Sequence, residues 1–154
     1  MPYDPVMIQP FRDELTEAGI TELRTAQEVD AAFAAPGTAL VVVNSVCGCA
    51  AGQARPGVVR ALTHSVRPDR LVSVFAGQDL EATARARSYF EGYAPSSPNI
   101  ALMRDGKVVF MLQRYQIQVM DAEGIARAVR GAFDELLAGK PAASTSAGAL
   151  LPTM

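Results

Sequence analysis

Hydrophobic and polar positions along the chain change period several times, and each change marks an element. Met7, Ile8, Phe11 and Leu15 recur at helical spacing behind the turn-forming prolines of the N-terminus, and Gly19 stands where a helix C-terminal cap belongs. Ile20 to Arg24 is short enough for an edge strand. Thr25 with Glu28 three residues later spells a capping box, opening a helix that turns Val29, Ala32 and Phe33 inward and stops near Pro36-Gly37. Ala39-Leu40-Val41-Val42-Val43 then runs apolar without alternation, as a strand buried on both faces does.

After Cys49 the residues are small (Ala50, Ala51, Gly52, Ala54), and Val58, Val59 and Leu62 return to helical spacing around Pro56. This predicts a kinked or interrupted helix. Leu71 to Phe75 is a second buried strand. Asp79 is placed to cap a helix running to about Phe90 through Ala82, Ala86 and Tyr89. Tyr93 to Pro98 is a loop. Asn99 to Met103 and Lys107 to Leu112 flank Arg104-Asp105-Gly106, and Asp-Gly between two apolar runs is a strong hairpin signal. Asp121 caps a last helix to about Leu137. Beyond Gly139 the chain turns to Ala, Ser, Pro and Thr without period. The expected organisation is therefore one domain over 1–138 and a disordered tail over 139–154. Alternating helices and strands imply a parallel core, and the closing hairpin makes the sheet mixed.

Composition narrows the function. Of 154 residues 49% are hydrophobic and 19% charged, as in an ordinary globular domain, and the net charge of −2 offers no grip on nucleic acid or anionic lipid. No run of about 18 apolar residues is long enough for a membrane helix, and the first residues lack a basic start and an apolar core. No membrane and no nucleic-acid partner is expected, and the chain reads as cytoplasmic. Two cysteines and one histidine restrict the chemistry further. A closed zinc site takes four ligands, and Cys47, Cys49 and His64 supply three.

Both cysteines lie in Cys47-Gly48-Cys49, just past the most hydrophobic strand and at the start of a helix. Carboxyl ends of strands in an open α/β sheet are where chemistry gathers. A thiol at a helix N-terminus faces unpaired amides and the positive end of the dipole, which favour thiolate, the attacking species. Arg55, two turns on, adds to this if the helix brings it round. Gly48 tolerates the backbone angles that a disulfide across one intervening residue demands, and a strained disulfide is easily opened. A pair of cysteines in this place points to redox chemistry rather than to two buried small hydrophobes. His64 reads as a surface or helix-terminal residue. Arg85, Arg87, Arg127 and Arg130 read as solvated helix faces. On spacing alone Pro98, after Ser97 and before a strand, is either an ordinary edge proline or a cis-proline.

The order of elements, the cysteine pair after the second strand, Pro56, and Ser97-Pro98 before the hairpin together resemble thioredoxin. Within that fold, Glu14-Leu15-Thr16-Glu17-Ala18-Gly19, Asn44-Ser45-Val46-Cys47-Gly48-Cys49-Ala50, Val74-Phe75-Ala76-Gly77-Gln78-Asp79 and Pro95-Ser96-Ser97-Pro98 resemble the bacilliredoxin family over roughly residues 5 to 138. The resemblance implies a thioredoxin-like α/β fold with a mixed central sheet and helices on both faces. It implies a thiol–disulfide oxidoreductase that removes bacillithiol from mixed disulfides on client proteins, with a weak isomerase activity beside it. Cys47 would attack and Cys49 resolve, with Pro98 cis beside them and Gly48, Ser97 and Arg55 supporting. No metal or resident cofactor is implied; bacillithiol is a co-substrate and the partners are bacillithiolated proteins and a low-molecular-weight thiol. Two other classes stay open on the residues alone. Cys-Gly-Cys suits a soft ion such as Cu(I), or zinc with further ligands, in a metal-transfer module. A thioredoxin-like binding module with a vestigial pair is the third.

Overall fold

A strand of seven residues, Thr38–Asn44 (β2), runs through the middle of the sheet with every side chain from Ala39 onward buried. The computed structural model describes residues 2–137; the segment 139–154, expected to be a tail, lies outside the described residues. Around β2 the chain is built from α1 (Pro5–Thr16), β1 (Thr21–Glu22), α2 (Ala26–Ala34), α3 (Arg55–Ala61), β3 (Arg70–Phe75), α4 (Leu80–Ser88), β4 (Asn99–Arg104), β5 (Lys107–Leu112), α5 (Arg114–Ile117) and α6 (Ala122–Leu136). A five-residue π-turn, Ala50–Ala54, leads into α3. Strand order is β1-β3-β2-β4-β5. β1, β3 and β2 run parallel, and β4 and β5 are antiparallel to their neighbours. The sheet is mixed, as expected.

Strict burial of β2 follows from helices on both faces. On one side Leu40, Val42, Ile100 and Leu102 pack with Leu15 of α1, Val58 and Ala61 of α3, and Ile125, Val129 and Phe133 of α6. On the other, Val41, Val43, Ala101 and Met103 pack with Val29 and Phe33 of α2 and Ala82 and Ala86 of α4. Burying one such aliphatic side chain stabilises the fold by about 1.5–3 kcal/mol before conformational entropy is counted.

Local signals act as the sequence predicts at most boundaries. Asp4 caps α1 by accepting from the amide of Val6 at 2.9 Å, and Gly19 closes the following turn with φ +96°. Thr25 Oγ1 accepts from the amide of Glu28 at 3.1 Å. The reciprocal bond is displaced by one residue, since Glu28 Oε1 accepts from the amide of Arg24. Asp105 and Gly106 both take positive φ, 51° and 82°, the two-residue turn whose twist matches a hairpin. Asp121 caps α6 by accepting from the amide of Gly124 at 2.7 Å.

One expectation needs correction, one is met in a specific form, and one element is added. Asp79 precedes α4 but makes no side-chain cap bond; its carboxylate takes both terminal nitrogens of Arg12, at 2.9 and 3.0 Å, because a buried guanidinium demands a charged partner. The helix after Cys49 is interrupted, and the interruption is the π-turn: the amide of Arg55 donates to the carbonyl of Ala50, five residues back. The next residue, Pro56, has no amide to continue the ladder. Between β5 and α6 lies the short helix α5, too brief to show a period in the sequence. Among the described residues, no helix is long and apolar enough to cross a membrane.

Candidate active site

β2 ends at Asn44 and aims the chain at the start of the interrupted helix, so Cys47 occupies its first turn. The carbonyl of Cys47 accepts from the amides of Ala50 and Ala51 at 2.9 and 3.2 Å, and its own amide donates to Ser45 Oγ at 3.0 Å. Cys47 and Cys49 are both free thiols and half-buried, with their sulfurs 2.8 Å apart.

The pair is asymmetric. The Cys49 thiol, donating to the sulfur of Cys47, holds Cys47 below the ordinary thiol range; the amides of Cys49 and Ala50 and the charge of Arg114 act the same way, against the opposing effect of burial. Burial pushes Cys49 upward, followed by its hydrogen bond to Cys47 and the charge there. One sulfur is thus favoured as thiolate and the other as thiol; the hydrogen bond between them is the first cause for Cys47 and adds to burial for Cys49. This is the arrangement needed for a nucleophile with a second thiol in reserve.

Arg55 spends its guanidinium on partners other than the sulfurs. It is 2% exposed, and its guanidinium donates to Glu14 Oε1 at 2.8 Å, to Asn44 Oδ1 at 2.9 Å and to the carbonyl of Ser45 at 2.8 Å. The ring of Phe11 covers it, 4.7 Å from centroid to guanidinium carbon. Its position inside the fold makes it the brace of the strand end that carries the cysteines. The cation whose charge reaches the sulfurs is Arg114 on α5. Nothing in the sequence pattern pointed to it, because a four-residue helix between two loops leaves no periodic trace.

Gln53 explains how α5 comes to lie here. Its side-chain amide, in the π-turn, donates to the carbonyls of Ile117 at 3.2 Å, Gln118 at 3.1 Å and Met120 at 2.8 Å, closing the C-terminal end of α5. The bond between Ser97 and Pro98 is cis. Val43 of β2 pairs with Asn99 of β4, so the next step of that register brings Pro98 level with Asn44, at the sheet end from which the cysteine loop leaves. The loop is held from below. Arg87 donates to the carbonyl of Ser96 at 3.1 Å, and Ser96 Oγ donates to Asn99 Oδ1 at 2.6 Å. Arg87 is therefore half-buried and structural rather than part of a solvated face. Arg85 does lie on the exposed face, paired with Asp30 at 2.7 Å. Gly48 is exposed, and a side chain built there would meet no atom within 4 Å. His64 lies beyond the far end of α3 and bonds Asp134 at 2.7 Å, away from the cysteines.

A protein family described as disulphide isomerase matches residues 3–137. The chain is similar to a bacilliredoxin of Koribacter versatilis, 53% identical over 134 residues that span 86% of this chain and 92% of the relative. It is equally similar to a bacilliredoxin of Geobacillus kaustophilus, 53% identical over 129 residues, covering 84% and 89%. A solved thioredoxin from Halobacterium salinarum matches with a TM-score of 0.50 at 17% identity, over 74% of this chain and 90% of that one. At that identity the thioredoxin establishes the fold alone.

Proposed function

Because this chain belongs to the disulphide isomerase family, among the bacilliredoxins, and is a thiol–disulfide oxidoreductase, we propose that its substrate is the mixed disulfide between a client protein and bacillithiol. The observation that carries the proposal is the asymmetry of the pair: a Cys47 sulfur favoured as thiolate at a helix start, with the Cys49 thiol 2.8 Å away.

In the proposed exchange the Cys47 thiolate attacks the bacillithiol sulfur of the client disulfide. That sulfur–sulfur bond breaks, the client leaves as thiolate, and a Cys47–bacillithiol disulfide forms. The charge on Cys47 is then gone. Since that charge and its hydrogen bond contribute to keeping Cys49 protonated, Cys49 gives its proton to solvent more readily after the first step than before it. Its thiolate attacks Cys47, releasing bacillithiol and leaving the Cys47–Cys49 disulfide. A second bacillithiol can instead attack the bacillithiol sulfur on Cys47, which yields bacillithiol disulfide and returns the Cys47 thiolate. The resolving role of Cys49 and the support from Ser97 and Pro98 belong to this proposal. We place this exchange in the cytoplasm, where low-molecular-weight thiols keep cysteines reduced.

Intact mass spectrometry of Cys49→Ala after mixing with a bacillithiolated test protein checks the first step, with Cys47→Ala alongside. The expected result is a gain of one bacillithiol on Cys49→Ala alone. No transfer while Cys47 is still alkylated rapidly would remove bacillithiol as the group carried. Retention of full turnover by Cys49→Ala under excess bacillithiol would show that the dithiol route is not obligatory.

A further inference from the structure

Only Ser45 and Val46 separate the last residue of β2 from Cys47. Ser45 is buried, and each of its three polar groups is bonded. Its amide donates to Asn44 Oδ1 at 2.8 Å, its carbonyl accepts from the Arg55 guanidinium at 2.8 Å, and its Oγ accepts from the amide of Cys47 at 3.0 Å. Asn44 is anchored in turn, its side-chain amide donating to the carbonyl of Phe11 on α1 at 3.1 Å. The backbone of Ser45 is therefore fixed from α1 and α3 at once, and its hydroxyl passes that constraint to the backbone of Cys47. The helical run begins at Gly48, and the carbonyl of Cys47 accepts from the amides of Ala50 and Ala51. A side chain just before a helix lies over the amides of the second and third helical residues, here Cys49 and Ala50. Both amides favour the thiolate.

We propose that Ser45 is a positioning residue for the thiol exchange: by holding the Cys47 amide, its hydroxyl keeps the Cys47 sulfur aimed over the first amides of the helix. The inference rests on the reading of Cys47 as the attacking thiol. A hydroxyl that accepts from the amide two residues on closes a tight turn of defined geometry. This turn sets the way the peptide between Val46 and Cys47 faces, and with it the direction of the Cys47 side chain. Without the hydroxyl the amide of Cys47 bonds water instead, since Cys47 is only half-buried. The chain at Cys47 is then free to rotate without breaking the helix that follows. The two backbone bonds of Ser45 do not involve its side chain. Ser45→Ala therefore removes the turn and leaves the connection to Asn44 and Arg55 standing.

The test measures the rate of iodoacetamide modification of Cys47 against pH in the full-length reduced protein, with the modified residue located by peptide mass. Ser45→Ala is expected to raise the inflection and to slow modification about two- to fourfold at a pH below both inflections; less thiolate is present, and the higher basicity of what remains returns part of the rate. Ser45→Thr keeps the hydroxyl and should follow the parent. Thr25→Ala, which loses the cap of α2, is the control for lost stability and should keep the parent's inflection. An inflection unmoved in Ser45→Ala, or moved as far in Ser45→Thr or Thr25→Ala, would overturn the inference and leave the reading of Cys47 standing. Modification of Cys49 ahead of Cys47 in the parent would overturn that reading, and this inference with it. Hydrogen exchange of the unsubstituted protein is a second check that needs no variant. The Cys47 amide should exchange slowly, and exchange as fast as an unprotected amide would overturn the inference.

Discussion

The guanidinium of Arg55 donates to Oδ1 of Asn44 at 2.9 Å, and the same oxygen accepts the amide of Ser45 at 2.8 Å. One side-chain carbonyl thereby joins α3 to the loop that carries the cysteines. Ser45 continues the chain of bonds, its carbonyl accepting from Arg55 and its hydroxyl from the amide of Cys47.

Arg55→Met keeps much of the volume but leaves the carbonyl of Ser45 without its charged donor in a site where Asn44 is 3% and Ser45 6% exposed. Glu14 rehydrates, being 37% exposed. The expected loss is about 2–3 kcal/mol of unfolding free energy, read from the urea midpoint of reduced protein. A loss below about 1 kcal/mol would show that the loop stands without its brace.

The pH dependence of Cys47 alkylation should report the bond from Cys49. A lowered Cys47 pKa means that alkylation rises with pH through an inflection below that of an ordinary thiol. Cys49→Ala removes the largest cause of the depression, so the inflection moves up toward about 8.5 and alkylation at neutral pH slows. Thiolate absorbance at 240 nm, titrated for both proteins, gives the two inflections. An unmoved inflection would assign the activation to the helix amides and Arg114 instead.

α3 and α6 touch at Gly57. A Cβ there would lie 2.6 Å from Cγ2 of Ile125 and 3.1 Å from the carbonyl of Ala122, so Gly57→Ala must push the helices apart. The expected cost is about 1–3 kcal/mol, measured by thermal or urea unfolding. Ile125→Val in the same chain should not recover it, because valine keeps the Cβ and Cγ2 that the new methyl would meet.

Gly48→Ala separates two roles for glycine. In the dithiol form Gly48 lacks a left-handed φ and has open space around it, so the reduced variant should be as stable as the parent within about 0.5 kcal/mol. The backbone angles needed to close a disulfide over one residue are a different demand. Equilibration in a thiol–disulfide buffer is expected to leave more of the variant as dithiol than the parent. If both measurements match the parent, neither state needs glycine at this position.

What the sequence made legible were features written in neighbouring residues. The unbroken Ala39–Val43 run, Thr25 with Glu28, Asp105-Gly106 and the cysteine pair each act through bonds within a few positions, and each is where it was read. What escaped depends on residues far apart in the chain. Asp79 looked like a helix cap, yet its carboxylate is claimed by Arg12, 67 positions away. Nor do the neighbours of Arg55 in the chain name Glu14, Asn44 and Ser45, the partners that hold it inside. Arg87 looked solvated and instead grips the loop before Pro98. An arginine does not show in the sequence which carboxylate or carbonyl the fold will bring to it.

The extra residue in the Ala50–Ala54 turn has an angular meaning. Each residue of an α-helix advances about 100° around its axis, so a turn one residue longer than the regular repeat rotates everything before it relative to everything after. α3 is pinned by the Gly57–Ile125 contact, and the cysteines precede the turn. The direction in which the sulfurs look is therefore out of phase with the side of the helix that packs, by one step of the screw. Deleting a single residue from this turn would keep the Gly57–Ile125 contact between α3 and α6 and turn the two sulfurs by about one 100° step of the helix, a change of aim with little change of core.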